Sequence, residues 1–78
     1  MNSEQIERLL RDTFPQAQVR VESDDNTHFS AKVVDDGFAG LSRVARHRRI
    51  HDAIGPALGR EIHAMSFTLR TPDEDAAV

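Results

Sequence analysis

Four histidines, nine arginines and no cysteine set the chemistry open to this chain. His63 lies in Ile62-His63-Ala64-Met65, on a predicted strand face otherwise made of Met65, Phe67 and Leu69. An imidazole among apolar neighbours costs burial energy unless its nitrogens find partners. Two roles stay open on the residues alone: a hydrogen-bonded structural histidine, or a ligand or base, since histidine is the commonest metal-binding side chain. His28 opens another strand directly after an acidic turn, where histidines are usually exposed and idle. His47 and His51 stand four apart, on one helical face. That spacing occurs in zinc helices, which need a third ligand and often an intervening glutamate. Here Arg48, Arg49 and Ile50 intervene, and the two guanidiniums repel a cation, so a zinc helix is rejected.

Arg43, Arg46, Arg48 and Arg49 fall within seven positions, with His47 among them. Arginine's planar fork suits phosphate and carboxylate alike, and a solvated helix face explains the cluster equally well. The chain as a whole carries a net charge of −3. A local basic cluster in an acidic chain points to one specific anionic contact, whereas a dedicated DNA-binding domain is more often basic throughout. Gly37-Phe38-Ala39-Gly40 matches the GxxG loop with which KH domains clamp a nucleic-acid backbone. That loop joins two helices, while this one follows a strand, and backbone geometry accounts for both glycines. Asp24-Asp25 and Asp35-Asp36 sit in turns, where aspartate serves the backbone. No triad, paired-carboxylate cleft or phosphate loop is present, so no catalysis is expected.

The elements that must position these residues follow from patterning. Asn2 caps a helix over about 3 to 13, with Gln5 completing a capping box and Pro15 ending it. Ala17, Val19 and Val21, then Phe29, Ala31 and Val33, alternate with polar residues on either side of Ser23-Asp24-Asp25-Asn26, which makes an antiparallel hairpin. Residues 35 to 40 form a loop. A helix starts near Leu41, with Val44, Ile50, Ala53, Ile54, Ala57 and Leu58 as its apolar stripe. Gly55-Pro56 forces a kink or an early end, and Gly59 is a plausible cap. A last strand covers Ile62 to Leu69 and stops at Thr71-Pro72. The acidic tail, 73 to 78, is expected to be disordered.

This order predicts an α+β domain over residues 1–72, a three-stranded mixed sheet with helices on one face. At 78 residues the chain supports one thin core. No run reaches the apolar length of a membrane span. The start, Met1-Asn2-Ser3-Glu4, lacks the layout of a secretory signal, so a cytoplasmic location is expected. Without cysteine there is no disulfide framework, thiol nucleophile or thiolate metal site.

Taken together, Thr27-His28-Phe29, Val33-Val34, Phe38-x-Gly40, Arg46-His47-Arg48 and Ile62-His63-Ala64-Met65 running to Thr71-Pro72 resemble the BolA family. The short hairpin turn and Phe38 to Val44 are similar to its short bacterial acid-stress (IbaG-like) branch. The resemblance spans about residues 3 to 72. It implies an α-β-β-α-α-β fold like that of class II KH domains, and a non-enzymatic partner of cytosolic monothiol glutaredoxins. In such pairs a [2Fe-2S] cluster bridges the proteins, with thiolates from the glutaredoxin and glutathione and histidine from the BolA-like chain. The isolated chain is then expected to bind no cluster and to be a monomer.

The resemblance makes His63 the ligand of the Ile/Val-His-Ala motif. The family's second ligand is a Cys or His in the hairpin loop. Residues 23 to 27 contain neither, which leaves His28, just beyond them, as the candidate. The alternative is a nucleic-acid-binding transcriptional regulator, suggested by the KH-like fold, with Arg43, Arg46, His47, Arg48 and Arg49 as the contact surface. Two departures from the family stand out: Gly55-Pro56 interrupts a helix many relatives keep whole, and Thr71-Pro72 runs into Asp73-Glu74-Asp75 instead of toward a tryptophan.

Overall fold

The computed structural model describes residues 2–55 and 64–77. Helix α1 (Ser3–Thr13) starts where the capping box requires. The Asn2 side chain accepts the Gln5 backbone N–H and the Gln5 side chain accepts that of Asn2, both at 2.9 Å. Strands β1 (Gln18–Glu22) and β2 (His28–Val34) form the expected antiparallel hairpin, in register from Gln18↔Val34 to Glu22↔Ser30. Asn26 takes the left-handed conformation, φ 58°, that the tight turn demands and that asparagine tolerates.

Helix α2 (Arg43–Ile54) begins at the Ser42 cap, whose hydroxyl accepts the Ala45 N–H. It ends early, as Gly55-Pro56 predicts: Gly55 is the cap at φ 64°, in the left-handed region that favours glycine. The chain returns as β3 (Ala64–Arg70), parallel to β2 in the register His28↔Ala64 to Val34↔Arg70. The sheet is three-stranded and mixed, in the order β1-β2-β3. The expected second helical segment around Ala57 and Leu58, the Gly59 cap, and the strand start at Ile62 and His63 lie outside the described residues.

One face of the sheet carries the core. Ile6 and Leu10 of α1 and Ile50 and Ile54 of α2 close over Val19, Val21, Phe29, Ala31 and Val33. The other face presents Arg20, Glu22, Ser30 and Thr68 to solvent.

Three expectations are corrected. The 35–40 loop contains a 3-10 turn (Asp36–Phe38), capped by the Asp35 side chain, and Phe38 is completely buried beside Phe14 with ring centroids 6.1 Å apart. Val44 does not belong to the apolar stripe but is 61% exposed. Six residues from Ile50 at about 100° each leaves it roughly 120° round the helix from the core. The acidic tail is not disordered from 73 onward, because Pro72–Ala76 forms a short helix, α3. Thr71 caps it in a second capping box with Glu74, and Pro72 occupies the first turn, where its missing N–H costs nothing. Among the described residues no helix is long and apolar enough to cross a membrane.

Phe38 fills the corner between the 3-10 turn and α1, so Phe38→Ala should lower stability by about 3–5 kcal/mol. Urea unfolding followed by far-UV circular dichroism measures this. A change below about 1 kcal/mol would mean that the side chain is not a core residue.

Candidate functional site

His28 stands at the rim of the hairpin and is organised by Asp25, three residues earlier. One Asp25 carboxylate oxygen, Oδ1, accepts the backbone N–H groups of Thr27 and His28, each at 2.9 Å. The other, Oδ2, lies 2.9 Å from His28 Nδ1. The His28 backbone N–H, the imidazole and the Thr27 N–H, in that order, hold the Asp25 carboxyl well below the usual carboxylate range. A carboxylate can only accept, so Nδ1 carries a proton, and the lone pair of a neutral ring in this position is on Nε2. The His28 side chain is 68% exposed and borders an open depression with Ser23, Asp24, Ser30 and Ser66. A ring with Nδ1 fixed by a carboxylate and Nε2 left to solvent is the arrangement that surrounds metal-ligating histidines.

His28 is in register with Ala64, the residue that follows His63 in the sequence. His63 itself lies outside the described residues. Among the described residues no group of three or more histidine, aspartate or glutamate side chains could hold a metal ion. With no cysteine in the chain, the donor set fits a half-site: imidazole offered to a metal whose other ligands come from elsewhere.

Contiguous in sequence, the arginines are divided in space. Arg46 points inward, its side chain only 13% exposed. Its Nε donates to the Leu41 carbonyl and Nη1 to the Leu69 carbonyl, while both Nη groups grip the two Glu74 carboxylate oxygens at 2.6 and 3.1 Å. The guanidinium also lies 5.8 Å from the Phe38 ring centroid. Arg46 therefore joins α2, β3 and α3, and its fork is already filled by a carboxylate. Arg49 donates to the Gly37 carbonyl at 3.2 Å. Arg43 and Arg48 are exposed at the surface of α2.

His47 Nδ1 lies 2.9 Å from the Arg43 carbonyl, and the His47 ring meets Phe67 edge-on at 5.7 Å. His51 approaches the same Phe67 ring at 6.1 Å. This i, i+4 pair flanks an aromatic ring. Two contributors were absent from the sequence reading. In sequence Asp25 reads only as a turn residue, although an aspartate three positions before a histidine is a usable signal. Glu74 lay in the segment expected to be disordered, although Thr71-Pro72-Asp73-Glu74 carries the capping-box spacing.

Comparison with known proteins gives one consistent result. The family model described as BolA-like protein matches residues 6–74. The chloroplastic BOLA1 protein of Arabidopsis thaliana is 35% identical over 75 residues, covering 91% of this chain and 47% of that protein. Human BolA-like protein 1 is 46% identical over 46 residues, 59% of this chain and 34% of that protein. The chain thus spans half or less of the length of these two relatives. Among solved structures, a BolA homologue from Coxiella burnetii superposes with a TM-score of 0.83 at 30% identity, covering 97% of each chain. The BolA domain of SufE1 from Arabidopsis thaliana gives a TM-score of 0.81 at 32% identity, covering 92% of this chain and 93% of that domain.

Two outcomes follow from this geometry. Arg46 holds the Glu74 carboxyl down to about 2, against an ordinary 4.5, with help from the Thr71 N–H. A depressed carboxylate contributes stability that is full above its unfolded pKa and is lost as pH falls through the folded one. Glu74→Gln should therefore flatten the acid limb of the stability curve between pH 4.5 and about 2. Denaturation at a series of pH values checks this, and parallel curves for the two proteins would mean that the pair does not form in solution. Asp25→Ala should turn His28 from one tautomer into a mixture, read from the two ring 15N shifts by long-range 1H–15N NMR. Unchanged shifts would show that Asp25 does not orient the ring.

Proposed function

Because this chain belongs to the BolA-like family, we propose that it is a non-enzymatic partner of a monothiol glutaredoxin, sharing a [2Fe-2S] cluster with it through histidine. The observation that carries this reading is His28, held by Asp25 through Nδ1 while its side chain stays largely exposed. His63 is the other proposed ligand, on the strength of its place in Ile62-His63-Ala64-Met65. The thiolates come from the glutaredoxin and its glutathione, since this chain has no cysteine to give.

Replacing a thiolate with neutral imidazole removes negative charge from such a cluster and raises its potential, as Rieske centres illustrate. The chain's own part is simpler. The hairpin presents an imidazole at the start of β2, and Asp25 in the turn holds the ring through Nδ1 before the partner arrives. Preorganisation of this kind reduces the entropy lost on association. A BolA domain also occurs within SufE1, which supports a module that works by docking. A role in iron-sulfur trafficking or iron sensing follows from this chemistry.

The test is the visible absorption and circular dichroism of a [2Fe-2S]-loaded monothiol glutaredoxin titrated with this protein and with His63→Ala and His28→Ala. The expected result is a saturable spectral change at one-to-one stoichiometry, abolished in the first variant and weakened in the second. No change with the unaltered protein overturns the proposal. A full change with His28→Ala removes that residue from the ligand set.

A further inference from the structure

The outer edge of β3 is unpaired among the described residues, and its hydrogen-bonding phase can be read from two contacts. The Arg70 carbonyl accepts the Asp35 N–H on the β2 side, at 2.9 Å. The Leu69 carbonyl instead accepts Arg46 Nη1 on the other side, at 3.0 Å. In a parallel strand both backbone groups of one residue face the same edge and neighbours alternate. Ser66 and Thr68 therefore bond toward β2, while Met65, Phe67 and Leu69 present their N–H groups outward. The carbonyls of Met65 and Phe67 face the same way, and Arg46 caps only the last carbonyl in the row.

Beside the β3 end of this edge runs a groove of about 690 Å³ between β3 and the first turns of α2. Arg43, Arg46, His47, Phe67 and Arg70 line it, and Glu74 is its one acid among the described residues. That carboxylate is already held by Arg46. Arg70 is partly engaged by Asp75 at 3.3 Å, and Arg43 stands exposed at the start of α2. An open strand edge facing a helix across a groove is the setting in which extended peptides add as an extra strand.

We propose that this groove docks an extended acidic peptide segment of a partner protein. The segment pairs its backbone with Met65 and Phe67 and places carboxylates against Arg43 and His47. Glu74, the chain's own carboxylate on Arg46, shows the chemistry the groove accepts. The basic end of the site lies at Leu69 of β3, five residues or about 17 Å from Ala64, with which His28 is in register, while its other end, at Met65, is one residue from that position.

The probe is a fluorescein-labelled peptide of about eight alternating Glu and Val residues, followed by fluorescence anisotropy with the full chain. Comparators are the Lys-Val peptide, the Glu-Val peptide N-methylated at alternate residues, and a single-stranded oligonucleotide of similar length. The Glu-Val peptide should bind saturably. N-methylation, which removes the backbone donors, should weaken it about tenfold or more, as should Arg43→Glu. Glutamate in the first turn of a helix suits its dipole, so this variant keeps its fold, as circular dichroism verifies. Hydrogen exchange should slow at Met65 and Phe67 on binding and stay unchanged at Ser66 and Thr68. The proposal is overturned by absence of saturable binding, by equal binding of the N-methylated peptide, or by an oligonucleotide that binds more tightly and loses that binding in Arg43→Glu.

Discussion

Among the described residues, strand β2 alone is hydrogen-bonded on both edges, antiparallel to β1 and parallel to β3. Its alternation therefore fixes the faces of the whole sheet. Phe29, Ala31 and Val33 put one set of side chains under the helices, and every residue paired with them in register must follow. A slip of one position would exchange the apolar and polar faces of both neighbours at once. The same alternation sends His28, Ser30 and Lys32 to the open face. The candidate ligand is thus exposed for the reason that Phe29 is buried.

Parallel pairing also imposes a crossover, because β2 and β3 run the same way and a tight turn cannot join them. Helix α2 lies in that connection and supplies Ile50 and Ile54 to the core. The returning strand is held mainly by its ladder with β2, and among the described residues α2 adds little to it. Arg46 adds one contact, reaching from α2 to the Leu69 carbonyl and to Glu74 of α3. On the opposite face Asp75 meets Lys32 at 2.8 Å and Arg70 at 3.3 Å, so the acidic segment is tied down from both sides. Exposed pairs of this kind contribute little singly, but the Arg46 pair is shielded and bidentate, and its geometry is correspondingly specific.

The division of charge bears on function. The arginine cluster looks in sequence like a single basic face, yet its most buried member neutralises an acid of the same chain. A phosphate backbone approaching α2 would compete with Glu74 for Arg46. At the other end of β3, Asp25 holds His28 through Nδ1 on an exposed rim, well away from the arginines. The absence of cysteine and the exposed histidine at the hairpin are the two features on which the proposed shared coordination rests.

Much of this was legible in the sequence because the signals are local. The capping box at Asn2, the period-two runs of β1 and β2, and the glycine that ends α2 each act within a few residues. The alternation alone placed Val19, Val21, Phe29, Ala31 and Val33 in the core. Tertiary structure decided what depends on partners distant in the chain. Phe38 is core because Phe14 lies opposite it, and Val44 is exposed because the helix's rotation is set by Ile50 and Ile54. Arg46 is committed because Glu74, 28 residues on, returns to it across β3. Side-chain types and their spacing determine which groups a segment can offer, and only the packed chain determines which of those groups are still free.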